Sequence, residues 1–423
     1  MHLLTVTRLA AASILNRKAT ALLTILAIAV SVMLFVGVER VRQAARESFE
    51  RTISGADLIV GARSGPVNLV LYSIFHIGDA TNNITWETYK DLASREQVAW
   101  TIPISLGDSH RGYRVVGTNT DYFRHYKYAD DRGLTFAEGK PFDDLFDVVL
   151  GSEVARALHY KIGDSIVVSH GLGDVSFMDH KDKPFRISGI LAPTGTPVDR
   201  SLHVSLEAIE AIHVGWESGA MTPLARLATA DRVRAMDLEP TTVTAMIIGL
   251  KSRPAVLRMQ RDINTYPEEP LLAVIPGVAL SQLWEVVGVI EQALAAISAC
   301  VVAVGLIVVL VSILTALNER RREMAILRSV GARPSDIFLL LVAEAGLLAL
   351  CGAFVGVMAL YGGLTLLKVP IQQQTGITLV DLWPGSFDLV VVFGVALAAS
   401  VLASLPAWRA YRNSLADGLS IRI

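Results

Sequence analysis

Asn318 to Phe338 reads NERRREMAILRSVGARPSDIF, an arginine-rich stretch with helical spacing that ends in Gly331 and Pro334 and lies between two long apolar runs. A polar helix held between two spans is placed to receive force from something in the aqueous phase beside it. The neighbouring runs decide the solvent. Ala19 to Val38, Gln292 to Asn318 and Leu389 to Trp408 contain no charged side chain, and Ile337 to Leu367 contains only Glu344. Each meets or approaches the roughly 20 apolar residues that a helix needs to cross about 30 Å of hydrocarbon. Buried helices of soluble cores seldom run that far without a charge, so four spans are expected.

Loop charge orients them. The segments before the first span, between the second and third, and after the fourth carry eleven Lys/Arg against four acids, whereas Val41 to Gln292 carries 25 basic against 32 acidic residues. The positive-inside rule then places both termini and the arginine loop in the cytoplasm and the long segment outside. The first run could instead belong to a cleaved signal peptide. Its length exceeds the 7 to 15 residues usual for one, and it passes into VERVRQAARESFER without a clear small-residue cleavage site, so an uncleaved anchor is favoured.

The fold class expected is an α-helical membrane protein with four transmembrane helices and a large mixed α/β domain inserted between helices 1 and 2. The divisions are 1–18 (cytoplasmic), 19–40 (first span), 41–284 (external domain, read as two subdomains with helical stalks) and 285–318 (second span and stalk). Residues 319–336 form a coupling segment, 337–367 the third span, 368–387 a short external loop, 388–408 the fourth span and 409–423 a cytoplasmic end. Cys300 and Cys351 both lie in spans, so the external domain has no disulfide framework. The net charge of −2 gives no sign of nucleic acid as a partner. Within the external segment, strands are expected at Ala56–Ala62, Trp100–Leu106 and Tyr113–Thr118, the last two joined through GDSHRG as a hairpin. Further strands are expected at Val148–Gly151, Asp164–Ser169, Pro184–Leu191 and Val243–Leu250. Helices are expected at Arg42–Thr52, Ser152–Tyr160, Leu206–Ile212 and Pro254–Thr265, and Gly277–Glu291 enters the second span as one helix.

Missing motifs limit the chemistry. A P-loop needs G-x-x-x-x-G-K-[ST] to cradle phosphates, and the Gly139-Lys140 pair is followed by Pro141. There is no G-x-S-x-G elbow and no H-E-x-x-H helix. No catalytic residue is assigned, and any energy must come from a partner.

With these residues in view, the order of one span, a large external domain and three spans resembles the FtsX-like or MacB-like ABC permeases, also called type VII or mechanotransmission transporters. ERRREMAILRSVGARPSDIF carries the resemblance in the loop. VVLGSEVARALHYKIGDSIVV (148–168) resembles the recurring segment of their periplasmic domain, and ADLIVGARSGPVNLVLYSIFHIGDATNNI (56–84) is similar to the stretch after the first span in a subgroup. The resemblance implies a bacterial inner-membrane permease, with ATP and Mg bound by a separate cytoplasmic ATPase and no cofactor in this chain. It also implies a second permease copy or a homologous permease, and contact with a periplasmic adaptor, binding protein or hydrolase. The implied work is export or extraction of a lipoprotein, peptide or small molecule. The alternative is regulation of an envelope enzyme such as a peptidoglycan hydrolase.

Arg320, Glu323, Met324, Ile326, Leu327, Arg328, Gly331 and Pro334 are the implied ATPase-coupling residues. On the residues themselves, Met324, Ile326 and Leu327 are expected to pack on one side of a short surface helix while Arg320, Glu323 and Arg328 face elsewhere. Gly331 suits a helix C′ position and Pro334 a stop or restart. Glu344 lies inside the third span, where an unpaired charge costs about 2.5 to 3.5 kcal/mol on insertion scales. It should face protein, in helix packing or a dimer seam rather than in substrate or proton handling. Gly346, Gly352, Gly356, Gly362 and Gly363 suit close helix approach in the same span. His170, Asp174, Asp179 and His180 are ligand types that zinc accepts. Their spacing matches no standard metal motif, so a surface loop is favoured and no metal is assigned.

Overall fold

A computed structural model describes residues 3–52, 54–129, 131–170, 183–214, 230–319, 321–375 and 383–412. The chain divides into two compact units, Met1–Ala44 with Gly288–Pro370 and Leu379–Ile423, and Ala45–Val287 with Ile371–Thr378.

Among the described residues, four helices are long and apolar enough to cross a membrane, over Lys18–Ala44, Pro276–Thr315, Pro334–Lys368 and Ser386–Trp408, here spans 1 to 4. They belong to helices Lys18–Arg51, Pro276–Glu319, Pro334–Thr375 and Ser386–Arg412. The second, at 44 residues, is about 66 Å long, twice the hydrocarbon thickness. The third continues through Pro370 to Thr375, past the point where its apolar run ends, so part of the segment read as a loop is helical. A separate helix, Leu3–Asn16, precedes span 1 and seats Ala10 against Leu340.

The core of the first unit is small-residue packing around span 3. Ala345, Ala349, Ala353, Val357 and Leu360 form one stripe of that helix at i, i+4 and i+3 spacing, buried against Ile28 and Val32 of span 1 and Val395 and Ala399 of span 4. Gly352 and Gly356 let backbones meet: a Cβ on Gly356 would lie 2.4 Å from the Ala29 carbonyl oxygen, and one on Gly352 would lie 2.8 Å from Ile28 Cβ. Gly346 touches Ser400 in the same way. Gly362 and Gly363 have nothing within 4 Å of a built Cβ, so only three of the five glycines make close approaches among the described residues. Lipid is as apolar as these side chains, so shape rather than hydrophobicity selects the pairing.

The second unit is built on one mixed, eleven-stranded sheet. Its main path uses β1 (Leu58–Ala62), β2 (Val98–His110), β3 (Tyr113–Thr118), β4 (Phe136–Gly139), β5 (Asp147–Leu150), β6 (Phe185–Leu191), β7 (Ser201–Ser205), β8 (Ala245–Leu250) and β9 (Leu271–Val274). Their order is β9-β1-β8-β2-β3-β7-β5-β6-β4. Both faces are covered, which is why β1 and β8 read as near-continuous apolar runs. Ile59 enters one cluster with Ile102, Val116 and Tyr122, while Leu58 and Val60 enter another with Met246 and Ile248. Helices Pro66–Ile74 and Trp86–Ala93, not anticipated from the sequence, pack on these faces.

The hairpin between β2 and β3 is tighter than GDSHRG suggests. Strand β2 runs on to His110 through an irregularity between Leu106 and Ser109, leaving Arg111 (φ 47°) and Gly112 (φ 82°) as the turn, both left-handed as a two-residue hairpin loop of the primed type requires. The polar residues enter the strand because they are satisfied there. His110 Nδ1 lies 2.6 Å from the Val167 carbonyl oxygen and Nε2 2.9 Å from Tyr160 Oη.

Gly356→Ala should lower the thermal midpoint of the detergent-solubilised protein, by a cost of about 1 to 3 kcal/mol for overpacking against backbone. Gly363→Ala, with open space around it, should leave the midpoint in place.

His203 on β7 has no exposed surface, and its ring lies tilted against Tyr122, 4.8 Å between centroids. Burial, then the nearby His76, depresses its pKa from 6.5 to about 3. The neutral form is therefore the folded form. Stability is fully present above pH 6.5 and is lost as pH falls from 6.5 towards about 3, reaching on the order of 3 kcal/mol near pH 4. His76 is depressed to about 4 by burial and by Arg114, but it is part-exposed and contributes less. Thermal unfolding between pH 8 and 4 should show this acid-side loss, and His203→Phe should flatten it.

Candidate coupling segment and membrane charges

Helix Arg321–Ser329 occupies the loop between spans 2 and 3. It ends where Gly331 turns left-handed at φ 103° and the Ala332 N–H donates to the Leu327 carbonyl oxygen at 3.0 Å. The next helix starts at Pro334, and the Asp336 carboxylate accepts the Arg333 backbone N–H at 2.8 Å, one half of a capping box. Gly331 and Pro334 therefore stand at a stop and a restart that hold the short helix between two long ones.

The apolar residues of this helix do not share a face. Met324 packs on Ile337, Leu341 and Ala407 of spans 3 and 4. Ile326 is 52% exposed, Val330 just beyond the helix is 84% exposed, and Glu323 is exposed. At about 100° per residue, positions 324 and 326 lie roughly 200° apart, so Ile326 cannot follow Met324 inward. The expected grouping of Met324, Ile326 and Leu327 is corrected on this point. Leu327 and Arg328 are half-buried. Arg320 lies outside the described residues.

Glu344 is only 8% exposed, and Ser13 Oγ donates to both of its carboxylate oxygens at 3.2 Å. It lines a cavity of about 20 Å³ with Arg17, Thr20, Ser312 and Leu348. That is room for about one water molecule. Ser312 Oγ accepts from Thr24 Oγ1 at 3.3 Å, so a polar patch runs from helix Leu3–Asn16 through span 1 to spans 2 and 3.

The MacB-like periplasmic core domain matches residues 21–247 and the FtsX-like permease C-terminal domain matches residues 295–415. The chain belongs to the FtsX-like, MacB-like ABC transporter permeases. It is 24% identical over 302 residues to the lipoprotein-releasing system transmembrane protein LolC of Xylella fastidiosa, covering 65% of this chain and 64% of that protein. It is 24% identical over 407 residues to the macrolide export ATP-binding/permease protein MacB of Bdellovibrio bacteriovorus, covering 92% of this chain and 57% of that protein. The matches thus span less than two thirds of either relative's length. The periplasmic region of MacB from Actinobacillus actinomycetemcomitans aligns at 12% identity with a TM-score of 0.33, over 55% of this chain and 94% of that one. With the family match to the MacB-like domain and four apolar helices among the described residues, this permease is a membrane protein with a large MacB-like α/β domain after its first span.

Of the weak metal candidates, His170 ends a two-residue strand paired with Asp108–Ser109 of β2. Asp174, Asp179 and His180 lie outside the described residues. Among the described residues no group of three or more His, Cys, Asp or Glu converges.

Sequence reasoning missed a charged cluster at the opposite end of the spans from the arginine loop. Asp388 at the start of span 4 is 1% exposed, and its Oδ2 accepts from Arg40 Nη2 of span 1 at 2.6 Å, Tyr361 Oη of span 3 at 2.7 Å and the Gly385 N–H at 2.6 Å. The Arg40 guanidinium lies 5.8 Å from the Tyr361 ring centroid. Two residues on, Arg42 bridges Glu39 at 2.6 Å and Glu291 of span 2 at 3.2 Å. The signal lay at the edges of the apolar runs: Arg40 and Asp388 flank windows chosen for having no charge.

Ser13→Ala removes one donor to Glu344 and should lower the thermal midpoint by a cost of roughly 1 kcal/mol. Glu344→Gln keeps an acceptor for Ser13 and should be the milder change in the same measurement.

Proposed function

We propose that this permease couples ATP hydrolysis on a cytoplasmic ABC ATPase to movement of its external domain, and so drives export or extraction of an envelope substrate. The observation that carries the reading is the outward face of helix Arg321–Ser329. Ile326 and Val330 are apolar and exposed beside Glu323, on a segment whose inward residue, Met324, is anchored to spans 3 and 4. Such a face suits a protein groove, and the anchored side passes a push on it directly to the spans. ATP and Mg bind on the ATPase.

Loop charge supports a cytoplasmic position for this segment and both termini, in the bacterial inner membrane. Helices Lys18–Arg51 and Pro276–Glu319, longer than the hydrocarbon requires, carry the motion outward. A second permease copy completes the assembly. Both named relatives are called after moving a substrate, a lipoprotein or a macrolide. That supports transport, of a lipoprotein, peptide or small molecule, over regulation of an envelope enzyme.

The test is purification of the tagged permease from its own membranes, followed by assay of vanadate-sensitive ATP hydrolysis in the eluate. Ile326→Glu and Val330→Glu should each reduce co-purifying ATPase by at least about tenfold, as expected at the centre of a protein interface. The thermal midpoint should not move, because both side chains are exposed. Undiminished ATPase in both variants would overturn the docking assignment.

A further inference from the structure

The contact between Arg40 and Asp388 is unevenly made. Three donors converge on Asp388 Oδ2, while Oδ1 is buried with no partner among the described residues, and Arg40 Nε is buried in the same condition. A guanidinium has a planar fork that can lie side-on against both oxygens of a carboxylate. Here it reaches the carboxylate end-on through Nη2 alone. Two groups that could satisfy each other thus lie close together and unpaired, which buried polar groups seldom do. A small turn or slide of span 1 along span 4 would bring Nε onto Oδ1 while Nη2 keeps Oδ2. Gly385 lets the guanidinium lie close to the span 4 backbone, where a Cβ would stand only 3.0 Å from Nη2.

Neighbouring contacts are compatible with a second position. Tyr361 and the Gly385 N–H hold the carboxylate from spans 3 and 4 whether or not Arg40 moves. Arg42 is held on span 1 itself through Glu39 and touches span 2 only through the longer 3.2 Å contact to Glu291. The ring pair Phe35–Phe387, with centroids 6.3 Å apart, is a loose stack between spans 1 and 4 that tolerates sliding.

We propose that Arg40, Asp388 and Tyr361 form a two-position clamp at the outer end of the spans, with Arg40 end-on in one position and side-on in the other. The clamp fixes which positions span 1 can take against span 4. Asp388 is then a positioning residue for the transport cycle, since it acts through the placement of span 1. That it is switched by ATP rests on the reading under Proposed function; that it has two positions does not.

The test uses the full-length permease with Cys300→Ser and Cys351→Ser, spin-labelled at Val41→Cys and Trp383→Cys, both exposed and close in sequence to the clamp. Pulsed electron resonance on the permease alone should give two inter-label distances. Asp388→Asn should change their ratio by at least about tenfold, which is modest for loss of one partner of a buried ion pair. Arg40→Lys keeps the charge but loses the fork, and should remove the side-on population selectively. The exchanged pair Arg40→Asp with Asp388→Arg should restore two populations, an outcome that general loosening would not produce. A single distance that is the same with and without Asp388→Asn overturns the clamp. So does Arg40→Lys behaving as wild type. If the wild-type permease shows two distances but its purified ATPase with Mg-ATP leaves their ratio unchanged, the clamp stands and the ATP-coupled reading fails.

Discussion

Inside hydrocarbon, water no longer drives apolar surfaces together, so helices stay paired only where backbones can approach closely or where a polar group would otherwise be stranded. The first unit meets both conditions through span 3. Its Gly352 and Gly356 sit against Ile28 and Ala29 of span 1, and its Gly346 sits against Ser400 of span 4. A larger side chain at these glycines would part the backbones, and no lipid could refill the gap with equal contact. The alanine stripe along the same helix continues the fit. Span 3 is consequently the element around which the other spans are arranged, and both buried carboxylates involve it, Glu344 on the helix itself and Asp388 through Tyr361.

Those charges follow from the packing. Glu344 is tolerated because helix Leu3–Asn16 brings Ser13 to it, and Asp388 because spans 1 and 3 bring Arg40 and Tyr361 to it. Removing one partner from a buried ion pair costs more than the intact pair contributes. Each carboxylate therefore acts less as a source of stability than as a fixed point that neighbouring helices must respect. Glu344 ties the N-terminal helix to span 3, and Asp388 ties spans 1, 3 and 4 at the opposite end. The arginine loop lies at the Glu344 end, so under the coupling proposed above a push on it would meet one fixed point early and the other late.

The spans were legible in the sequence because the solvent constraint is strict: about 20 residues without charge leave few other readings. Strands β1 and β8 were legible for a related reason, since burial on both faces makes their residues apolar in sequence. Strand β7 was not. SLHVS carries two serines and a histidine, and it is a strand because β3 and β5, distant in sequence, pair with it and enclose His203. Helix Leu3–Asn16 and the continuation of span 3 past Pro370 were also missed. The first has no charge-free run of membrane length, and the second runs through a residue that ordinarily marks an end. Tertiary partners settle such segments, and a single sequence does not display them.

In the coupling segment, the sequence displayed the punctuation and concealed the face. Gly331 and Pro334 mark a stop and a restart whatever the helix touches, because their backbone preferences are local. Which of Met324, Ile326 and Leu327 turns inward depends on where spans 3 and 4 lie, and Ala407, which receives Met324, is some 80 residues away in the chain. Once Met324 is fixed, helical geometry leaves Ile326 no inward route and sets it beside Glu323 and Val330. An isoleucine and a valine so placed gain nothing from water. Beside an exposed glutamate they would give the proposed partner an apolar anchor with a charged rim, the composition that protein interfaces favour. The same inward anchor that exposes Ile326 is the one that would deliver a partner's push to spans 3 and 4.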